Sequence, residues 1–207
     1  MIKNLSRGIT LIEIVAVVFL VALFSAILVA NFPEIQRQYS LSRATYKLAQ
    51  DFRRVQDLGL SSIQLKDKNG ELIKAVKGYG IYVNLSQPET AMQYILYADI
   101  DKGDPDDNQR FDGNIVKTCE EYQVFFDEGD CVIETIDVSE NNGSVFISGV
   151  DNIDGLNTSV NFSPPGPVIR IDNLTFGKNE IGIVLGLRSG TGSRTVWANT
   201  AGLINVE

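Results

Sequence analysis

The chain has 207 residues, 44% of them hydrophobic and 21% charged, which is enough apolar material for a domain with a real core and too much for global disorder. It contains no histidine, which excludes imidazole catalysis and histidine-ligated zinc, copper or iron; its two cysteines cannot build a four-thiolate metal site alone. Eighteen Lys and Arg against 26 Asp and Glu give a net charge of −8, which argues against a broad basic surface for nucleic acid.

Residues 1–8, MIKNLSRG, hold Lys3 and Arg7 and no acid. Ile9 to Ala30 follows as 22 residues with a single charge, Glu13. At ~1.5 Å rise per residue, a helix of this length spans about 33 Å, which matches the ~30 Å hydrocarbon core of a bilayer. The positive charges ahead of the span put that end in the cytoplasm and everything after Ala30 outside. A plain signal anchor fits the same pattern, and so does a secretory signal peptide cut near Ala26 or Ala30. The cleaved peptide is disfavoured by the length of the span, by Glu13, and by Phe24 and Leu28, which stand where a peptidase wants small residues.

Glu13 is the informative residue, because a carboxylate inside an apolar span costs on the order of 2.5–3.5 kcal/mol on insertion scales. Its surroundings read Arg7-Gly8-Ile9-Thr10-Leu11-Ile12-Glu13-Ile14. This resembles the type IV prepilin signature: a short basic leader ending in Gly, then an apolar residue, Thr, Leu, Ile and Glu. Ile9 stands where that family most often has Phe. The resemblance implies that a membrane-embedded prepilin peptidase cuts after Gly8 and methylates the new amino group of Ile9. It also implies that Glu13 pairs with the N-terminal ammonium of a neighbouring subunit as it joins a filament. Opposite charges attract strongly in a low-dielectric layer and an unpaired one is costly, so such pairing would check register. Pairing of Glu13 with its own Ile9, four residues back, is the alternative.

Residues 31–62 read as an amphipathic continuation of the helix, with a kink expected at Pro33. Leu41, Ala44, Leu48, Phe52 and Val55 share one face at a 3.6-residue period, and Asp57-Leu58-Gly59 marks the expected end. From residue 63 the pattern changes to period two. Asn69-Gly70 marks a turn; Gly78–Leu85 and Gln93–Ile100 read as a strand hairpin, with Tyr79, Ile81, Val83 and Leu85 on one face. Further strands are expected at 131–138, 144–148, 157–163, 167–172, 181–187, 193–198 and 202–206, with Ser163-Pro164-Pro165-Gly166-Pro167 breaking the run. The predicted fold class is α+β: a long N-terminal helix, half membrane-spanning and half amphipathic, packed on a mostly antiparallel all-β head over 63–207. This is the pilin layout. The segments LAQDFRRVQDLGLSS, GYGIYV, YILYADID, VNFSPPGP and RTVWANTAGLINV resemble the GspH/FimT-type minor pseudopilins. Those proteins close with an N-x-x-G-x-I-x-V strand, here Asn199 to Val206.

Three features of the head invite chemistry. Asp99, Asp101, Asp104 and Asp106 lie in DIDKGDPDDNQRFD, where alternating carboxylates around a turn suit calcium's oxygen shell. The glycine is misplaced for an EF-hand and Arg110 stands where the closing Glu belongs, so a solvated acidic loop is the competing reading. Cys119 and Cys131, in a segment expected outside the cytoplasm, suggest a disulfide, with two buried free thiols as the alternative. Trp197 is expected in the core. Acids are concentrated between Asp99 and Glu140, where 14 face Lys102, Arg110 and Lys117, so a nucleic-acid face is not expected there.

The expected function is that of a structural subunit, with no catalytic residues. The resemblance implies a minor pilin or pseudopilin of a type IV pilus or type II secretion filament, held single-pass in the cytoplasmic membrane with its head outside and then extracted into the filament. Its implied partners are other pilin or pseudopilin subunits through the helix, the prepilin peptidase, and membrane lipid before assembly. The alternatives are a major pilin subunit or a filament-tip module: an adhesin, a DNA-uptake subunit or a calcium-binding subunit. No cofactor is required, and calcium is the one candidate.

Overall fold

A computed structural model describes residues 10–61, 63–66, 69–73, 76–87, 90–100, 110–111, 118–119, 129–139, 144–164, 168–189 and 191–207. The chain divides into two compact units, one running to Tyr39 and one from Ser40 to Glu207. The first is the beginning of the helix α1 (Leu11–Ser61), which continues through Pro33 as regular helix. Every side chain from Thr10 through residue 36 is exposed. Two of its polar side chains are satisfied along the helix itself: Ser25 Oγ donates to the Val21 carbonyl at 2.8 Å and Asn31 Nδ2 to that of Ile27 at 2.9 Å.

The second unit is α+β. Residues 40–61 of α1 bury the face that the periodicity marks: Leu41, Leu48, Phe52 and Val55 are each at most 1% exposed, and Ala44 packs against them half-buried. Full burial of one such side chain contributes roughly 1.5–3 kcal/mol. The helix runs two residues past Gly59, to Ser61, whose Oγ donates to the Asp57 carbonyl at 2.6 Å. Gly59 acts as a contact point: a β-carbon there would fall 2.5 Å from the Phe162 carbonyl oxygen, so only glycine lets helix and strand approach this closely.

Among the described residues nine strands follow, β1 (Val76–Asn84), β2 (Gln93–Ile100), β3 (Cys131–Asp137), β4 (Val145–Asp151), β5 (Asn157–Ser163), β6 (Val168–Ile171), β7 (Glu180–Leu187), β8 (Ser193–Asn199) and β9 (Ile204–Val206). They form two antiparallel sheets, ordered β3-β2-β1-β5-β6 and β4-β7-β8-β9. The expected hairpin is present, with Tyr79 opposite Ala98, Ile81 opposite Leu96 and Val83 opposite Tyr94. After β3 the chain crosses to the second sheet for β4, returns to lay β5 beside β1, and crosses again to finish on β7, β8 and β9.

One continuous core joins the helix face to the inner faces of both sheets. It contains Phe52 from the helix, Tyr79, Ile81 and Val83 from β1, and Ile181, Ile183 and Leu185 from β7. A smaller cluster covers the other face of the first sheet, where the Phe111 ring packs at a tilt against Tyr82 and Tyr97 with ring centroids 4.6 and 5.1 Å apart. Strand β2 is therefore buried on both faces, which accounts for the near-continuous apolar run YILYA.

Candidate functional site

The candidate assembly site lies at the start of α1. Gly8 and Ile9 fall outside the described residues. Thr10 immediately precedes the first helical residue, and its backbone N–H and Oγ1 both donate to Glu13 Oε2 at 2.8 Å. Glu13 N–H donates back to Thr10 Oγ1 at 3.3 Å. This is a capping box: two helix-end donors are satisfied reciprocally by a Thr and a Glu three residues apart. The signal, Thr10-Leu11-Ile12-Glu13, was available in the sequence and was missed there. Among the described residues Glu13 makes no ion pair. Around it lies a contiguous exposed apolar surface that includes Leu11, Ile14, Val18 and Phe24. Soluble monomers rarely expose an apolar patch of this extent. The helix is long and apolar enough to cross a membrane.

In the second unit, α1 is pinned to the first sheet by polar contacts as well as packing. Asp51 is buried and accepts a hydrogen bond from the Tyr94 hydroxyl at 2.5 Å, with Lys47 Nζ 3.7 Å from the same carboxylate oxygen. The Tyr79 hydroxyl donates to the Ile63 carbonyl just beyond the helix end, and burial pushes its pKa up.

Asp99 lies in β2, buried, and its Oδ2 accepts from Asn161 Nδ2 at 3.0 Å. Asp101, Asp104 and Asp106 fall outside the described residues, and among the described residues no group of three or more Cys, Asp or Glu is placed to hold a metal. Asn161 belongs to a buried polar cluster that composition alone did not reveal. Its Nδ2 also reaches the Tyr97 hydroxyl at 3.5 Å, Ser163 Oγ donates to its Oδ1 at 2.9 Å, and nearby the Ile100 N–H donates to Asp130 Oδ1 at 3.1 Å. Burial raises the Tyr97 pKa above the usual tyrosine range; hydrogen bonds with Ser159 and Asn161 work against that rise, and the charges of Asp130 and Asp99 add to it.

Cys119 and Cys131 form a disulfide, with Cα atoms 4.9 Å apart. The Cys119 N–H donates to the Val132 carbonyl at 2.8 Å, which holds the bridge beside β3. The closing N-x-x-G-x-I-x-V segment makes the β8–β9 hairpin. Asn199 Oδ1 accepts from the N–H groups of Ala201 at 3.0 Å and Leu203 at 2.9 Å, and Gly202 takes φ +88°. Gln56 Nε2 donates to the Gly202 carbonyl at 3.2 Å and so ties this turn to the helix. Trp197 departs from expectation. It is only half-buried, on the outer face of β8, because its neighbours Val196 and Ala198 take the inward positions.

No protein-family profile, curated protein or solved structure matches this chain.

Proposed function

We propose that this protein is a filament subunit of the type IV pilin class, a minor pilin or pseudopilin held in the cytoplasmic membrane by the first part of α1 until assembly. The observation that carries this reading is the exposed apolar surface of residues 11–30, interrupted near its start by the one charge of that stretch, Glu13, six residues beyond Arg7. In a bilayer that surface faces lipid; in a filament the helices of neighbouring subunits replace the lipid. Cleavage after Gly8 creates an ammonium at Ile9, a cation suited to Glu13 of an adjoining subunit in a medium where neither charge is stable alone. The head contributes shape and contacts, and no chemistry is asked of it.

A second reading is favoured by the Thr10–Glu13 hydrogen bonds: a plain signal anchor in which Glu13 only caps the helix. Mass spectrometry of the protein purified from membranes of a host that has a prepilin peptidase separates the two. The pilin reading expects Ile9 as the first residue, carrying one methyl group. An intact Met1, or a cut near Ala30, overturns it.

A further inference from the structure

The outer face of the four-stranded sheet carries a cleft that the filament reading does not use. Alternation along the strands sends Ile181, Val196 and Ala198 into the core and turns Glu180, Trp197, Asn199, Asn205 and Glu207 outward, with Leu203 at the rim. These residues line a cleft of about 310 Å³. Register brings them together: Trp197 stands opposite Gly182 on one side and Asn205 on the other, and Glu180 stands opposite Asn199.

Trp197 is fixed as a platform. A β-carbon on Gly182 would fall 2.8 Å from Cζ3 and 2.9 Å from Cη2 of the indole, so the six-membered ring lies over the glycine. The indole N–H donates to Glu207 Oε2 at 3.1 Å, which tethers the ring's edge. Around this platform stand both kinds of hydrogen-bonding group. Glu180 and Glu207 accept. Asn205 offers an exposed amide, and Asn199, whose Oδ1 is used by the turn, keeps its Nδ2 hydrogens to donate.

We propose that this cleft binds a carbohydrate, with one pyranose ring stacked on Trp197 and its hydroxyls on Glu180, Asn199 and Asn205. A pyranose presents a face of C–H groups that packs on an aromatic ring and a rim of hydroxyls that both donate and accept. The cleft supplies each of these. An apolar ligand would bury the carboxylates and amides without partners. A cation would engage the acceptors and leave the amide donors unmatched. The volume stands at the small end of ligand sites, which suits a single sugar ring of a longer chain.

Trp197 is the single tryptophan of the chain, so its fluorescence reports this cleft alone. The full-length protein, in a detergent without a sugar headgroup, is titrated with cellotriose, maltotriose and tri-N-acetylchitotriose. The neutral hexose arms and the acetamido arm separate a plain glucan from an acetamido-sugar polymer as the source. At least one of the three is expected to give a saturable change in emission. Asn205→Ala and Glu180→Ala, both at exposed positions, should weaken it by about tenfold, roughly one lost hydrogen bond each, with an unchanged thermal midpoint. No saturable change with any of the three up to about 20 mM overturns the proposal, since that limit already allows the weakest useful affinity. Binding unaffected by both substitutions overturns it too. A response to N-acetyl-lysine amide in place of the sugars assigns the cleft to a cationic partner instead. The test does not depend on whether the chain assembles into filaments.

Discussion

Single residues in this protein carry charge or hydroxyl groups into places where water does not follow, and the Tyr97 phenol is the clearest case. It is fully buried on the outer face of the first sheet beside Phe111, bonded to Asn161 and close to the carboxylates of Asp99 and Asp130. Burial raises its pKa, and burial raises that of Tyr79 as well. An unfolded tyrosine releases its proton near pH ~10, whereas the folded chain holds these two protons to higher pH. Above that point the unfolded state binds fewer protons than the native state, so stability falls as pH rises. Full stability from these groups is present below about pH 10 and is lost progressively above it. Urea unfolding between pH 8 and 11 should show this decline, and Tyr97→Phe should flatten it while costing about 0.5–1.5 kcal/mol at pH 8 for the lost hydroxyl contact. An unchanged slope in the variant would place the alkaline sensitivity elsewhere.

At the level of elements, the helix and the sheets meet through one backbone-to-backbone approach. Gly59 lies where a β-carbon would come 2.5 Å from the Phe162 carbonyl and 3.0 Å from its Cβ, and both neighbours belong to a strand that cannot swing aside. Gly59→Ala gains about 1 kcal/mol of helix propensity but forces the helix off β5 at a cost of roughly 1–3 kcal/mol. The expected net is destabilisation, read as a lower denaturant midpoint. Gly149, in β4, has open space where its β-carbon would sit, so Gly149→Ala should leave the midpoint within experimental scatter. The helix face and the strands were legible in the sequence because periodicity reports burial directly: Leu41, Leu48, Phe52 and Val55, or Ile181, Ile183 and Leu185, needed no partner to be recognised. The pairing of β1 with β5 and of β4 with β7 was not legible, since strands with similar apolar faces pair across long loops and period two does not say with whom. Gly59 read as a helix stop for the same reason: its meaning is the proximity of Phe162, a residue 103 positions away. Trp197 was misplaced because size suggested core, although its alternation with Val196 and Ala198 already put it on the outer face. The Thr10–Glu13 box was present in the sequence but overshadowed by the cost of an acid in an apolar span.

For the molecule as a whole, the proposed filament role gives Glu13 a task inside a membrane, and the capping geometry supplies a way to test it. Glutamine serves a capping box nearly as well as glutamate, because the Thr10 N–H needs an acceptor and not a charge. Glu13→Gln therefore preserves the local role and removes only the charge. If Glu13 is solely a cap, the variant should insert, fold and behave as the parent. If Glu13 pairs with the ammonium of a neighbouring subunit, the variant should insert at least as well, since a charge costing about 2.5–3.5 kcal/mol in the bilayer is gone, yet it should be incorporated poorly. Thr10→Val tests the converse: it breaks the box at a cost of about 0.5–2 kcal/mol in helix stability but leaves the carboxylate. It should be incorporated nearly as well as the parent if charge pairing governs assembly. The measurement is the share of the protein recovered in sheared filaments against that left in membranes, in a host that assembles the parent. Equal shares for Glu13→Gln and the parent would refute charge pairing, because the one property removed is the one on which pairing depends.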